Sequence, residues 1–274
     1  MDIFTLAIKA LQHVVGLLLL LLSFCFSEAK HTQGSIKTIK IIKSTAFPNP
    51  ITSTDSLTYY AEKFNSLVAL IRDGKIEKQS AKKEVSKILS QLKRLYSKKP
   101  AFGLKIRKVF PVEGYSPSAI GGTKGDGYKP GQYNFYDGNR HSGHPAHDIF
   151  IKDRDQDLLD DQTGKRVNIL SVSNGIVVST EPVWQKTSNL RGGIYVIVYN
   201  PKEELLYYYA HNSKLFTKPG NIIKAGDKLA ELGRSGLNAY KKRSPTHLHL
   251  MAMQIKPGGN LTPVDLYPVL KKLK

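Results

Sequence analysis

Apolar residues first recur at helical spacing between residues 56 and 74. Leu57, Phe64, Leu67 and Ile71 share one face, and Asp73-Gly74 supplies a stop. A second stretch, from about Ser80 to Lys98, places Val85, Leu89, Leu92 and Tyr96 on one side, with Pro100 beyond its end. Together they predict a short α-helical hairpin over 54–99. It reads as a packing or spacing module, because no chemistry-bearing side chains gather on it. Residues 30–53 are rich in Lys, Thr, Ser and Pro, hold no sustained period, and read as a linker.

After Pro100 the period shortens. Val167–Val172, Gly175–Thr180, Gly193–Tyr199, Leu205–Ala210, Lys228–Leu232 and His247–Ile255 are short, rich in Val, Ile and Tyr, and separated by turn residues. Short strands with no helical pattern between them predict a mainly β domain over 100–274, an antiparallel β-sheet forming either a sandwich or an open barrel.

The amino terminus follows a different logic. Lys9 precedes an apolar stretch from Val14 to Phe26, broken only by Gly16 and Ser23 and too short to span a bilayer comfortably. Ser27 and Ala29 put small residues at the −3 and −1 positions of a cleavage after Ala29, so 1–29 is expected to be a signal peptide. The alternative is an uncleaved N-terminal membrane anchor, since the run extends backwards through Leu11. An export signal implies a periplasmic, envelope-bound or secreted protein.

Composition narrows the chemistry. The 274 residues carry 41 Lys+Arg against 22 Asp+Glu, a formal charge of +19. Such a surface suits an anionic envelope. Nucleic acid is not expected as a partner, because the export signal removes the chain from cytoplasmic DNA and the lysines are spread rather than aligned on one recognition helix. The single cysteine, Cys25, lies in the leading apolar run, which excludes internal disulfides, cysteine-rich zinc fingers and a cysteine nucleophile.

One segment runs against the basic background. Residues 152–161 hold five acids, and Asp153, Asp155 and Asp157 imitate the opening of a calcium loop. Leu158 stands where such a loop uses glycine and Gly164 where it uses glutamate. The segment is therefore expected to be a solvated acidic loop.

Six of the eight histidines, His141, His144, His147, His211, His247 and His249, fall in the β region. In a strand, residues two apart face the same side about 7 Å apart, so His247 and His249 look into one space while Leu248 and Leu250 face the core. A histidine and a carboxylate from another segment would complete a three-ligand site of the kind that suits catalytic zinc. Taken singly, an H-x-H pair, a His144–Asp148 salt bridge or a strand-end His211 is unremarkable.

Their order along the chain resembles the lysostaphin-type or LytM-type zinc metallopeptidases that cleave peptide bonds in bacterial cell walls. The resemblance covers roughly Phe110 to Ile255 and rests on H-x-x-x-D (His144, Asp148), Ser173-Asn-Gly175, the Gly192–Val198 run and Tyr209-Ala-His211. It continues through Ile223–Leu229 and Gly233-Arg-Ser-Gly236 to His247-Leu-His249. It implies Zn2+ held by His144, Asp148 and His249, with His211 and His247 as the paired catalytic histidines. Peptidoglycan peptides are the implied substrate, and the activity is that of a zinc metalloendopeptidase. Ala146 and Leu250-Met251 depart from the family's usual glycine and aromatic-acid pair, which bears on substrate shape rather than on ligands. His141 and His147 receive no family role; His147 is expected to point away from Asp148 and either to support the ligands from behind or to be structural. The rival from another class is a catalytically inactive peptidoglycan-binding or activator protein on the same fold.

Overall fold

A computed structural model describes residues 53–105, 107–140 and 142–273. The expected signal peptide, nearly all of the linker, and His141 lie outside the described residues. Among the described residues, no helix is long and apolar enough to cross a membrane.

Two helices come first, α1 (Ser53–Arg72) and α2 (Lys78–Tyr96). Every apolar position that predicted them is buried: Leu57, Phe64, Leu67 and Ile71 on α1, and Val85, Leu89, Leu92 and Tyr96 on α2. The side chain of Glu77 caps α2 by accepting from the backbone N–H groups of Gln79 and Ser80, each at 2.7 Å.

Nine strands follow: β1 (Ala146–Phe150), β2 (Asn168–Leu170), β3 (Gly175–Glu181), β4 (Ile194–Asn200), β5 (Leu205–Leu215), β6 (Ile222–Ile223), β7 (Lys228–Leu232), β8 (His247–Lys256) and β9 (Asn260–Val264). They form one antiparallel sheet with the main order β1-β8-β5-β4-β3-β6; β7 joins β5, β2 joins β7, and β9 continues beside β8 past the end of β1. All nine strands belong to one sheet, and it is open rather than closed. Beyond the six predicted stretches the sheet adds β1, the two-residue β6 and the Pro-containing β9; β6 and β9 are too short or too irregular for an alternating pattern to register.

Alternation along the strands builds two cores. Ile176, Val178, Ile197, Tyr199, Leu206, Met251 and Met253 pack with Phe64, Val68, Leu89 and Leu92 of the helices on one face. Val177, Val196, Val198, Tyr207, Tyr209, Leu248 and Leu250 pack on the other, with Phe110, Val112 and Ile149. The helix pair thus shares a core with the sheet. Polar contacts fix its docking: Asn65 Oδ1 accepts from Ser179 Oγ at 2.7 Å and from the Thr180 N–H at 2.9 Å, and Arg72 Nη1 donates to Glu181 at 2.6 Å.

The acidic segment departs from expectation. Asp155, Asp157 and Asp161 are not buried, but Asp153 and Asp160 are, with 6% and 2% of their surface exposed. Asp160 is tied down by the Tyr115 hydroxyl and by backbone N–H groups.

Candidate metal centre and active site

The site forms on the helix-facing side of the sheet, where β1, β8 and β5 lie side by side. Asp148 stands directly opposite His249 in the β1–β8 ladder, and Phe150 opposite His247. His249 is also paired with Ala210 of β5. Because strand side chains alternate, Asp148, His247 and His249 emerge on one face while Ile149 and Leu248 enter the opposite core.

Asp148 Oδ1 is the focus. It lies 3.1 Å from His249 Nδ1, 3.3 Å from His144 Nε2 and 3.7 Å from His247 Nε2. Ligand atoms of His144, Asp148 and His249 all fall within 4.8 Å of one another. Two imidazoles and a carboxylate are the donor set that suits zinc, and with three protein ligands a coordination position is left for water or substrate. The residues therefore fit the metal that the sequence resemblance implies.

Backbone carbonyls set the imidazole tautomers. A carbonyl can only accept, so the 2.9 Å contact between His144 Nδ1 and Gly127 O puts a proton on Nδ1, and in the neutral ring it leaves the Nε2 lone pair, on the Asp148 side, available to a metal. His211 Nδ1 meets Ser235 O at 2.8 Å, and His247 Nδ1 meets Pro245 O at 2.7 Å. Each of these rings likewise keeps an uncommitted Nε2.

Electrostatics separate the roles. Burial opposes ionisation of Asp148, but hydrogen bonds to His144 and His249, with the nearby His249 and His247 rings, outweigh it and hold the carboxyl well below the usual range. The hydrogen bond to Asp148 raises the His144 pKa against the opposing effect of burial. Burial pushes His211 well below its ordinary value, reinforced by His247 and His249. Burial also lowers His247. The two histidines are therefore neutral at pH 7 and able to accept a proton.

His211 reaches this face only through a backbone irregularity. Regular alternation would send it with Tyr207 and Tyr209 into the opposite core. Between the Ile194–Asn212 and Val196–Tyr209 pairs, however, β5 carries one extra residue, and His211 adopts φ 68°. The bulge turns its ring to within 5.0 Å of His247 and 5.5 Å of His249, centroid to centroid. Gly236 makes room for it: at φ 113°, a Cβ there would collide with Arg191 O and stand 2.9 Å from His211 Nδ1.

His147 takes the other side of β1. It is buried, its Nε2 lies 2.8 Å from Asp265 Oδ1, and its ring stacks on Tyr128 at 5.6 Å.

The site opens into a cleft of about 300 Å³. Beyond the histidines and Asp148, its walls include Tyr133, Phe135, Arg191 and Tyr208, together with Val68, Ile71 and Arg72 of α1. The apolar stripe of the helix pair predicts only packing and does not signal a cleft wall. Tyr208 comes from β5, whereas Tyr133 and Phe135 lie on an irregular segment where no periodicity marks them.

The description Peptidase family M23 matches residues 158–265. The match contains Tyr209-Ala-His211, Gly233–Gly236 and His247-Leu-His249, and it begins beyond His144 and Asp148. The lysostaphin-type and LytM-type resemblance of the sequence is borne out by it. A comparison with curated proteins returns no match. Among solved structures, a zinc-containing peptidase from Vibrio cholerae is 21% identical with a TM-score of 0.37, covering 60% of this chain and 40% of its own. The antimicrobial peptidase lysostaphin from Staphylococcus simulans is 24% identical with a TM-score of 0.35, covering 53% of this chain and 48% of its own. Its catalytic domain alone is 22% identical with a TM-score of 0.35, covering 62% and 95%. The chain thus spans less than half the length of the first two.

Proposed function

We propose that this chain, with its peptidase family M23 match, is an exported zinc-dependent metalloendopeptidase that hydrolyses peptide bonds in bacterial cell-wall peptidoglycan, in a stem peptide or a cross-link. The observation that carries the reading is the convergence of three histidine nitrogens within 3.1–3.7 Å of Asp148 Oδ1. His144, Asp148 and His249 would hold the metal. Zinc held there would polarise a peptide carbonyl and bring the pKa of bound water down to about 7.

The chain's own residues supply the rest. Neutral His211 and His247, each anchored through Nδ1–H to a carbonyl, present Nε2 to the cleft. Either Nε2 can take the proton of the attacking water; the imidazolium so formed carries an Nε2–H that can donate to the developing oxyanion and then return the proton to the leaving amine. Their burial limits competing solvent at the reacting centre. Ile71, Tyr133 and Phe135 offer apolar contact to a bound peptide, and Arg191 offers a cation to its carboxylates.

The experiment is digestion of purified peptidoglycan by the full chain, with and without a chelator, combined with metal analysis and mass spectrometry of released fragments. Chelator-sensitive release of peptide-bearing fragments, restored by zinc, is the expected outcome. Binding to the wall without cleavage under zinc-replete conditions would replace the hydrolase with an inactive wall-binding or activator protein.

A further inference from the structure

We propose that the loop 153–161 is a calcium site built on Asp153, Asp155 and Asp161, and that its occupation stiffens the segment leading into His247. One oxygen from each of these carboxylates lies within 4.8 Å of the others. A cation with ligand distances of about 2.3–2.6 Å can bridge such a spread.

Clustered acids alone would mean little, but Asp153 is not a surface acid. Only 6% of it is exposed. Its Oδ2 accepts from Thr246 Oγ1 at 2.6 Å and from the Leu158 N–H at 3.2 Å, both neutral donors. Its Oδ1 is buried with no hydrogen-bond partner. A buried carboxylate oxygen left unmatched is costly unless a cation or donor meets it. Among the described residues, no ion pair reaches Asp153, Asp155, Asp157 or Asp161, although the chain carries a net +19. Arg234, which interacts electrostatically with Asp153, directs its nitrogens instead to the carbonyls of Ser244 and Lys241 and to Thr246 Oγ1.

The backbone conforms to the same reading. Leu158, standing where a calcium loop uses glycine, adopts φ 74°, the left-handed conformation that glycine serves there. The donor set is hard oxygen only, which favours calcium over the zinc chemistry of the histidine cluster. Lacking a glutamate at the position of Gly164, the loop should bind in the weak range of extracellular modules, with Kd of about 10⁻⁴–10⁻³ M.

The loop is wired to the active site. Asp153 holds Thr246, the residue before His247, and Gln156 Nε2 donates to Lys242 O at 2.9 Å and to Ser244 O at 3.4 Å. An ion at Asp153 would fix the carboxylate that anchors this segment.

Calcium chloride titrated calorimetrically into the zinc-loaded full chain tests the site. The expected result is saturable binding of one ion per chain, with Asp155→Asn weakening it at least about tenfold and Asp155→Asn/Asp161→Asn abolishing it. The two altered positions are not buried, so far-UV circular dichroism should remain that of the wild type. Absence of saturable heat for the wild-type chain up to about 10 mM, above the weak-site range, overturns the proposal, as does Asp155→Asn binding at undiminished affinity.

Discussion

Asp148 and His249 are direct partners across the β1–β8 ladder, and their contact of 3.1 Å joins two strands that lie about a hundred residues apart in sequence. The proposed metal site is therefore a property of strand pairing. Any slip of register by one residue would turn Asp148 to the wrong face.

The two histidines of His247-Leu-His249 should behave differently when removed. His249→Ala is expected to abolish zinc retention, whereas His247→Ala keeps zinc and loses turnover by roughly 10²–10³-fold, the loss usual for one transition-state donor. Metal content of the purified variants, measured beside fragment release, separates the cases. Equal zinc occupancy in both would contradict the assignment.

Gly236→Ala should disable His211 without touching a metal ligand. The added methyl would meet Arg191 O and His211 Nδ1, in a backbone conformation that side chains resist. Zinc content near that of the wild type with a fall in kcat is the expected pair of results; unchanged kcat would show that His211 need not hold this position.

Arg191 lines the cleft without an ion-pair partner among the described residues. Arg191→Gln is expected to raise KM for carboxylate-bearing wall peptides by about threefold to tenfold, in keeping with one exposed charge contact. Zinc content and kcat should remain near wild type. An unchanged KM would remove Arg191 from substrate binding.

The helix pair shares its core with the sheet, so truncating Phe64, which is fully buried, should be felt throughout. Phe64→Ala is expected to cost about 3–5 kcal/mol. Denaturant unfolding followed by helical and by tyrosine signals should shift together. A shift confined to the helical signal would mean that the sheet holds its fold independently.

The Glu77 cap gives α2 a pH dependence with a definite sign. Backbone hydrogen bonds from Gln79 and Ser80 lower its carboxyl below the ordinary 4.5. The contribution is thus complete above the unfolded value and fades as pH falls through the lower folded value. Stability of the wild type should converge on that of Glu77→Ala as pH falls below the ordinary 4.5; a constant difference as pH falls through that range would exclude the cap as its source.

What the sequence determined by itself was local. The apolar periods at Leu57–Ile71 and Val85–Tyr96 specified two helices, because burying one stripe requires that spacing. The i, i+2 relation of His247 and His249 specified a shared face, because strand side chains alternate. Tertiary structure decided what those elements met: that Asp148 would stand opposite His249, that α1 would form a wall of the cleft, and that Asp153 would be buried in a loop read as solvated. It also decided the direction of His211. Alternation alone sends that ring into the opposite core, and only the extra residue in β5, accommodated beside Gly236, turns it back toward the site.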